Sequence, residues 1–82
     1  MTSQDAKDIL VYWFGTYGDA QIFYSPCCPC TFEIVRPRQG DGFAVVFVTQ
    51  ERLERVMRLP PNRRFSWFQA VRKRLNRLEE TG

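Results

Sequence analysis

Three thiols fall within four positions of the stretch YSPCCPCTFEI, residues 24–34: Cys27, Cys28 and Cys30. Clustered thiols can hold a metal, form a disulfide or run redox chemistry. A structural zinc takes four ligands, nearly always thiolate or imidazole. This chain has three Cys and no His, so a carboxylate or a second chain would have to supply the fourth. The C-C-x-C spacing also differs from the paired knuckles of known zinc modules. A disulfide fits poorly as well. The cysteine count is odd, and adjacent cysteines bridge only through a strained peptide.

Cys27 and Cys30, with Pro29 just before the second thiol, resemble the C-x-x-C motif of thioredoxin-like proteins over four residues. The resemblance implies a thiolate activated at a helix N-terminus, where the dipole lowers the thiol pKa. The following residues, TFEIVRP, alternate like a strand and do not open a helix. The preferred reading is therefore free thiols on a crossover between strands. Pro26 and Pro29 stiffen it by biasing the residue before each toward extended backbone. These three cysteines remain the chain's candidates for a zinc or thiol site.

Other catalytic chemistry lacks its residues. Without His the commonest general base and metal ligand is missing. The GDG at 40–42 reads as a turn, not a phosphate loop, and no Ser or Thr has a base at a recognisable spacing. The expectation is a protein with no cofactor and no enzymatic activity.

Charge is the stronger signal. The net charge of +3 is uneven. Residues 1–49 carry three Lys/Arg against five Asp/Glu, and residues 50–82 carry nine against four. Ten of the twelve cations are Arg, whose planar fork suits carboxylates and phosphates. Glu51 with Arg55 and Glu54 with Arg58 have the spacing of helical ion pairs. Arg63, Arg64, Arg72, Lys73, Arg74 and Arg77 have fewer acids close in sequence and form the candidate partner-binding set.

The elements that must position them follow from periodicity. Ser3 is the expected cap of a first helix, in which Ala6, Ile9, Leu10, Trp13, Phe14 and Tyr17 share one arc and Gly18 ends it. AQIFY and TFEIV read as strands, RPRQGDG as a turn, and the nearly all-apolar FAVVFV as the central strand of its sheet. Thr49 caps a helix with Leu53, Val56 and Met57 on its stripe. Pro60-Pro61 stops it, PPNRRF is a loop, and Ser66 caps a last helix bearing Trp67, Phe68, Val71, Leu75 and Leu78 on one arc. The fold expected is a single α+β domain over 1–82: an N-terminal helix, a small antiparallel sheet of two or three strands, and two C-terminal helices. Trp13, Phe14, Phe47, Trp67 and Phe68 are expected in its core.

Eighty-two residues bury only about 60–65% of the surface of the unfolded chain, so the stability margin is thin. No apolar run approaches the roughly 20 residues of a membrane span, and the polar start MTSQDAKD is unlike a signal peptide. A soluble, cytoplasmic protein is expected.

The six-residue PPNRRF connection and the absence of base-reading Asn, Gln or Ser at the start of the last helix argue against a helix-turn-helix. In size and build the chain resembles the small phage-encoded proteins that bind and block host machinery, anti-CRISPR proteins above all. The resemblance implies a non-enzymatic inhibitor that docks on a CRISPR–Cas effector complex and blocks its nucleic-acid recruitment. The basic balance points that docking toward an acidic or nucleic-acid-lined surface. The alternative is a small basic module that binds nucleic acid through phosphate-backbone contacts. Replacing Cys27, Cys28 and Cys30 together by serine is expected to leave partner binding largely intact. A stoichiometric zinc in the purified protein, read by elemental mass spectrometry, would overturn the structural reading of the three thiols.

Overall fold

The computed structural model describes residues 1–16, 20–26, 30–37 and 42–80. Gly18, Cys27, Cys28 and residues 38–41, within the stretch expected to form a turn, lie outside these. In chain order the elements are α1 (Ser3–Leu10), a π-helical segment (Val11–Thr16), β1 (Gln21–Ser25), β2 (Thr31–Pro37), β3 (Phe43–Thr49), α2 (Gln50–Met57) and α3 (Pro61–Glu80). This is the expected α+β order, with three antiparallel strands arranged β1-β2-β3.

The cap of α1 is Thr2, one residue before the expected Ser3. Thr2 Oγ1 accepts the Asp5 N–H at 3.1 Å, and Asp5 Oδ2 accepts the Thr2 N–H at 3.3 Å. Thr2 wins because an acid stands three residues after it, completing a reciprocal capping box. The freed Ser3 hydroxyl donates to Gln50 Oε1 and sits 3.0 Å from the Tyr24 hydroxyl, tying α1 to α2 and β1.

Ala6, Leu10 and Phe14 are buried. Each four-residue step overshoots one α-helical turn by about 40°. Over two such steps a regular helix would turn Phe14 about 80° away from Ala6. The wider i→i+5 turn of the π segment takes up the overshoot.

The sheet has one covered face. Ile22, Phe32, Ile34, Ala44, Val46 and Val48 are buried under the helices, with Ile22, Ile34 and Val46 in register across the three strands. β3 was expected at the centre of the sheet but lies at its edge, and β2 takes the centre. An all-apolar run signals two apolar faces, and here the second face of β3 is bare. Phe47, expected in the core, is therefore exposed. Gly42, at φ 85°, enters β3 in the left-handed region that only glycine adopts without strain.

Thr49 caps α2 as expected, its Oγ1 accepting the Arg52 N–H at 3.1 Å. The start of α3 differs from expectation. Pro61 opens this helix, so residues 61–66 are helical rather than a loop, and Ser66 donates to the Asn62 carbonyl instead of capping. Proline lacks the N–H that the first helical position leaves unpaired anyway, and its fixed φ suits that position. The Pro60 carbonyl accepts from both Arg63 and Arg64 N–H at 3.0 Å.

Phe68, Val71 and Leu75 seat α3 on the core, with Trp13 and Trp67 half-buried against it. Phe68 stacks on Trp13 and touches Phe14. Phe68→Ala is expected to cost about 3–5 kcal/mol in urea unfolding, because the ring is enclosed and its neighbours cannot collapse onto the void. Phe47→Ser is expected to stay within about 0.5 kcal/mol of the parent. Equal losses would place Phe47 in the core after all.

Candidate binding surface

From Pro61 to Leu78 α3 contains six basic residues and no acid. Its rotation about its own axis therefore decides which way a large positive charge points. That rotation divides the six sequence-selected residues among three places.

Arg72 turns inward. Its Nη2 donates to the Trp13 carbonyl at 2.7 Å, in partly buried surroundings, and its Nε is buried without a hydrogen-bond partner. Trp13 in turn lies flat on Phe68, ring centroids 4.5 Å apart and planes 6° from parallel. Arg72 thus clamps α3 to the π segment and is not a free surface charge. Arg64 is half-buried and, with Trp13, Met57, Pro61, Phe65 and Phe68, lines a hollow of about 220 Å³.

The remaining cations face solvent. Arg63, Trp67, Ala70, Arg74 and Arg77 follow at i, i+4, i+7, i+11 and i+14, which puts them on one ridge; Lys73 stands beside it. Arg63, Lys73 and Arg74 are exposed, and none has an ion-pair partner among the described residues. The ridge forms one wall of a groove of about 470 Å³. Trp67, Ala70, Val71 and Arg74 line that wall, Arg52 of α2 closes one side, and β3 from Val46 to Thr49 forms the other wall. Of Arg52, Arg55 and Arg58, spaced three apart in the sequence, Arg52 lines this groove. Arg55 is instead paired with Glu51 at 2.6 Å, as expected, whereas the expected Glu54–Arg58 pair is absent and Glu54 accepts from Gln50 Nε2 at 3.4 Å.

The other half of the surface was missed in the sequence. The outer face of the sheet carries Phe23, Phe43 and Phe47, exposed by 47%, 63% and 65%, with Val35 and Val45 half-buried between them. Register puts Phe23, Glu33 and Phe47 in one row and Gln21, Val35 and Val45 in the next. Glu33 is the one charge on this face among the described residues, and no cation joins it. The signal that could have found it was the run FAVVFV itself. Six apolar residues in a row have no solvent side, and the chain holds too little helix to cover both faces.

One further sequence reading changes. The α2–α3 connection is residues 58–60, the three-residue length of a helix-turn-helix turn, so its length no longer argues against that motif. Cys30 is half-buried, with Sγ 4.0 Å from the Pro26 carbonyl, while Cys27 and Cys28 lie outside the described residues. No helix among the described residues is long and apolar enough to cross a membrane.

Compared with protein-family models, curated proteins and solved structures, the chain has no match.

Arg72→Met is expected to cost about 1–3 kcal/mol, because the Trp13 carbonyl loses a charged donor in a partly buried place. Arg74→Met is expected to stay within about 0.5 kcal/mol. Urea unfolding of the two variants checks both, and equal stabilities would return Arg72 to the solvent-facing set.

Proposed function

We propose that this chain is a non-catalytic domain that binds a protein partner through the side of the molecule where the bare sheet face meets the basic ridge of α3. The observation that carries the reading is the uncovered face of Phe23, Phe43 and Phe47. Contiguous exposed apolar surface on a small domain marks an interaction site, and aromatic anchors dominate the energetics of protein interfaces. The ridge adds a preference for an acidic partner and speeds encounter with it. Binding of this kind acts by occupancy, which is how a stoichiometric inhibitor works. The resemblance in size and build to anti-CRISPR proteins makes a CRISPR–Cas effector complex the first partner to try.

The second reading is nucleic-acid binding by α3. The three-residue α2–α3 turn favours it, together with a solvent face that carries Asn62, Arg63, Ser66, Ala70 and Lys73. The bare sheet face counts against a stacking platform for single strands. Such platforms combine aromatics with cations that track the phosphates, and here Glu33 stands among the phenylalanines with no cation beside it.

Pull-down from the native host with the 82-residue chain as bait tests the proposal. Phe43→Ser/Phe47→Ser is expected to keep the parent's melting temperature and lose the captured protein. Capture that survives in the folded double variant rules this face out. Tight binding of the chain alone to random duplex DNA, weakening by about 0.9 log unit per log unit of salt for each phosphate contacted, would establish the second reading instead.

A further inference from the structure

β3 is an edge strand, and the geometry of its ladder says which main-chain groups are unused. The Gln50 N–H donates to the Cys30 carbonyl at 2.9 Å, which makes Cys30 and Gln50 a hydrogen-bonded pair in the register that sets Thr31 against Thr49. Bonded and non-bonded pairs alternate along an antiparallel ladder. Ala44, Val46 and Val48 therefore turn their N–H and C=O toward β2, while Val45 and Phe47 turn theirs outward. Among the described residues no other strand or loop takes up these outward groups. They open into the groove between β3 and α3, whose walls are Val46, Val48, Trp67, Ala70 and Val71 and whose charges are Arg52 and Arg74.

We propose that this groove receives an extended acidic peptide segment of a partner protein, added to the sheet as a fourth strand beside β3. The proposal deepens the protein-binding reading and rests on it. An unpaired edge strand is a template for one more strand, with main-chain bonds giving affinity and alternate side chains giving specificity. Side chains on the helix side of the added strand face Arg52 and Arg74 and call for carboxylates, while those on the other side continue the face of Phe23, Phe43 and Phe47 and call for apolar residues. Arg52 and Arg74 have no acid of this chain to pair with among the described residues. A second copy of the chain fits the groove worse, because pairing β3 with β3 would set two basic α3 ridges side by side.

Three capped nine-residue peptides, titrated into the full chain, test this: one alternating valine with glutamate, one with lysine in place of glutamate, and the glutamate peptide with alternate amides N-methylated. The glutamate peptide is expected to bind and to slow amide exchange at Val45 and Phe47, whose N–H groups are open in the free protein. Like charges set against each other across an interface cost several kcal/mol, so the lysine peptide is expected to bind more weakly by roughly tenfold or more. The N-methylated peptide is expected to lose binding, and Arg52→Glu/Arg74→Glu is expected to reverse the preference between glutamate and lysine. Equal binding of all three peptides, or binding that leaves Val45 and Phe47 exchange unchanged, overturns the proposal, as does a β3–β3 dimer in sedimentation that excludes peptide. If the host partner is captured undiminished by Arg52→Glu/Arg74→Glu, the groove proposal falls and the protein-binding reading stands. If no partner is captured at all, that reading falls, and the peptide titrations still decide the groove.

Discussion

The seating of α3 against the π segment fixes which way the positive charge faces. Trp13 and Phe68 are 55 residues apart, yet their rings lie parallel in contact, and four positions along α3 Arg72 holds the Trp13 carbonyl. A ring stack and a charged hydrogen bond on the same flank leave the helix one rotation. With Phe68, Val71 and Leu75 turned down, Arg63, Trp67, Ala70 and Arg74 must turn toward β3. A slip of one residue would swing the ridge by about 100°, burying Arg72 where Val71 sits and pointing Arg74 away from the groove. The direction of the positive charge is thus a consequence of core packing near the chain's N-terminus.

The second constraint is supply. Three strands make a sheet with two faces and two edges, and the helices of a chain this short cover one face. Stability comes from that single core, where Phe14, Phe32, Phe68, Leu10, Ile34, Leu53 and Leu75 are enclosed. What remains is an apolar face and an open edge on the same side. Both favour association and both invite aggregation. The α3 ridge, running beside the edge, mitigates this by making self-pairing electrostatically unfavourable.

Local signals were legible where one residue type has one physical job. Thr49 could be read as a cap because a strand ends and a helix begins there, and the stripes of α2 and α3 were visible in their spacing. Residue type does not separate Thr2 from Ser3, because both can cap, and the deciding partner is Asp5, three residues downstream of the first. Pro61 was read as a stop because proline ends and begins helices with equal ease, and only the Pro60 carbonyl, accepting from Arg63 and Arg64, shows which. The exposure of Phe47 and the strand order depend on how much helix is left to cover a sheet, which periodicity does not record. The same limit split the basic set. Arg72 and Lys73 are neighbours in sequence, and only the rotation of α3 decides that one is a clamp and the other a surface charge.

Those two outward chemistries meet at β3. On one side of the strand lie the phenylalanines, on the other the arginine ridge, and between them run the unused amides of Val45 and Phe47. A polyanion with no apolar surface would engage the ridge alone and leave the sheet face wet. An apolar helix laid on the sheet would leave the arginines and the edge amides unmet. An extended segment with alternating side chains is the one simple shape that presents backbone to the edge, apolar groups to one wall and carboxylates to the cations at once. Its side-chain period is two, the same as that of the strand it would join, so all three demands can be met in a single register.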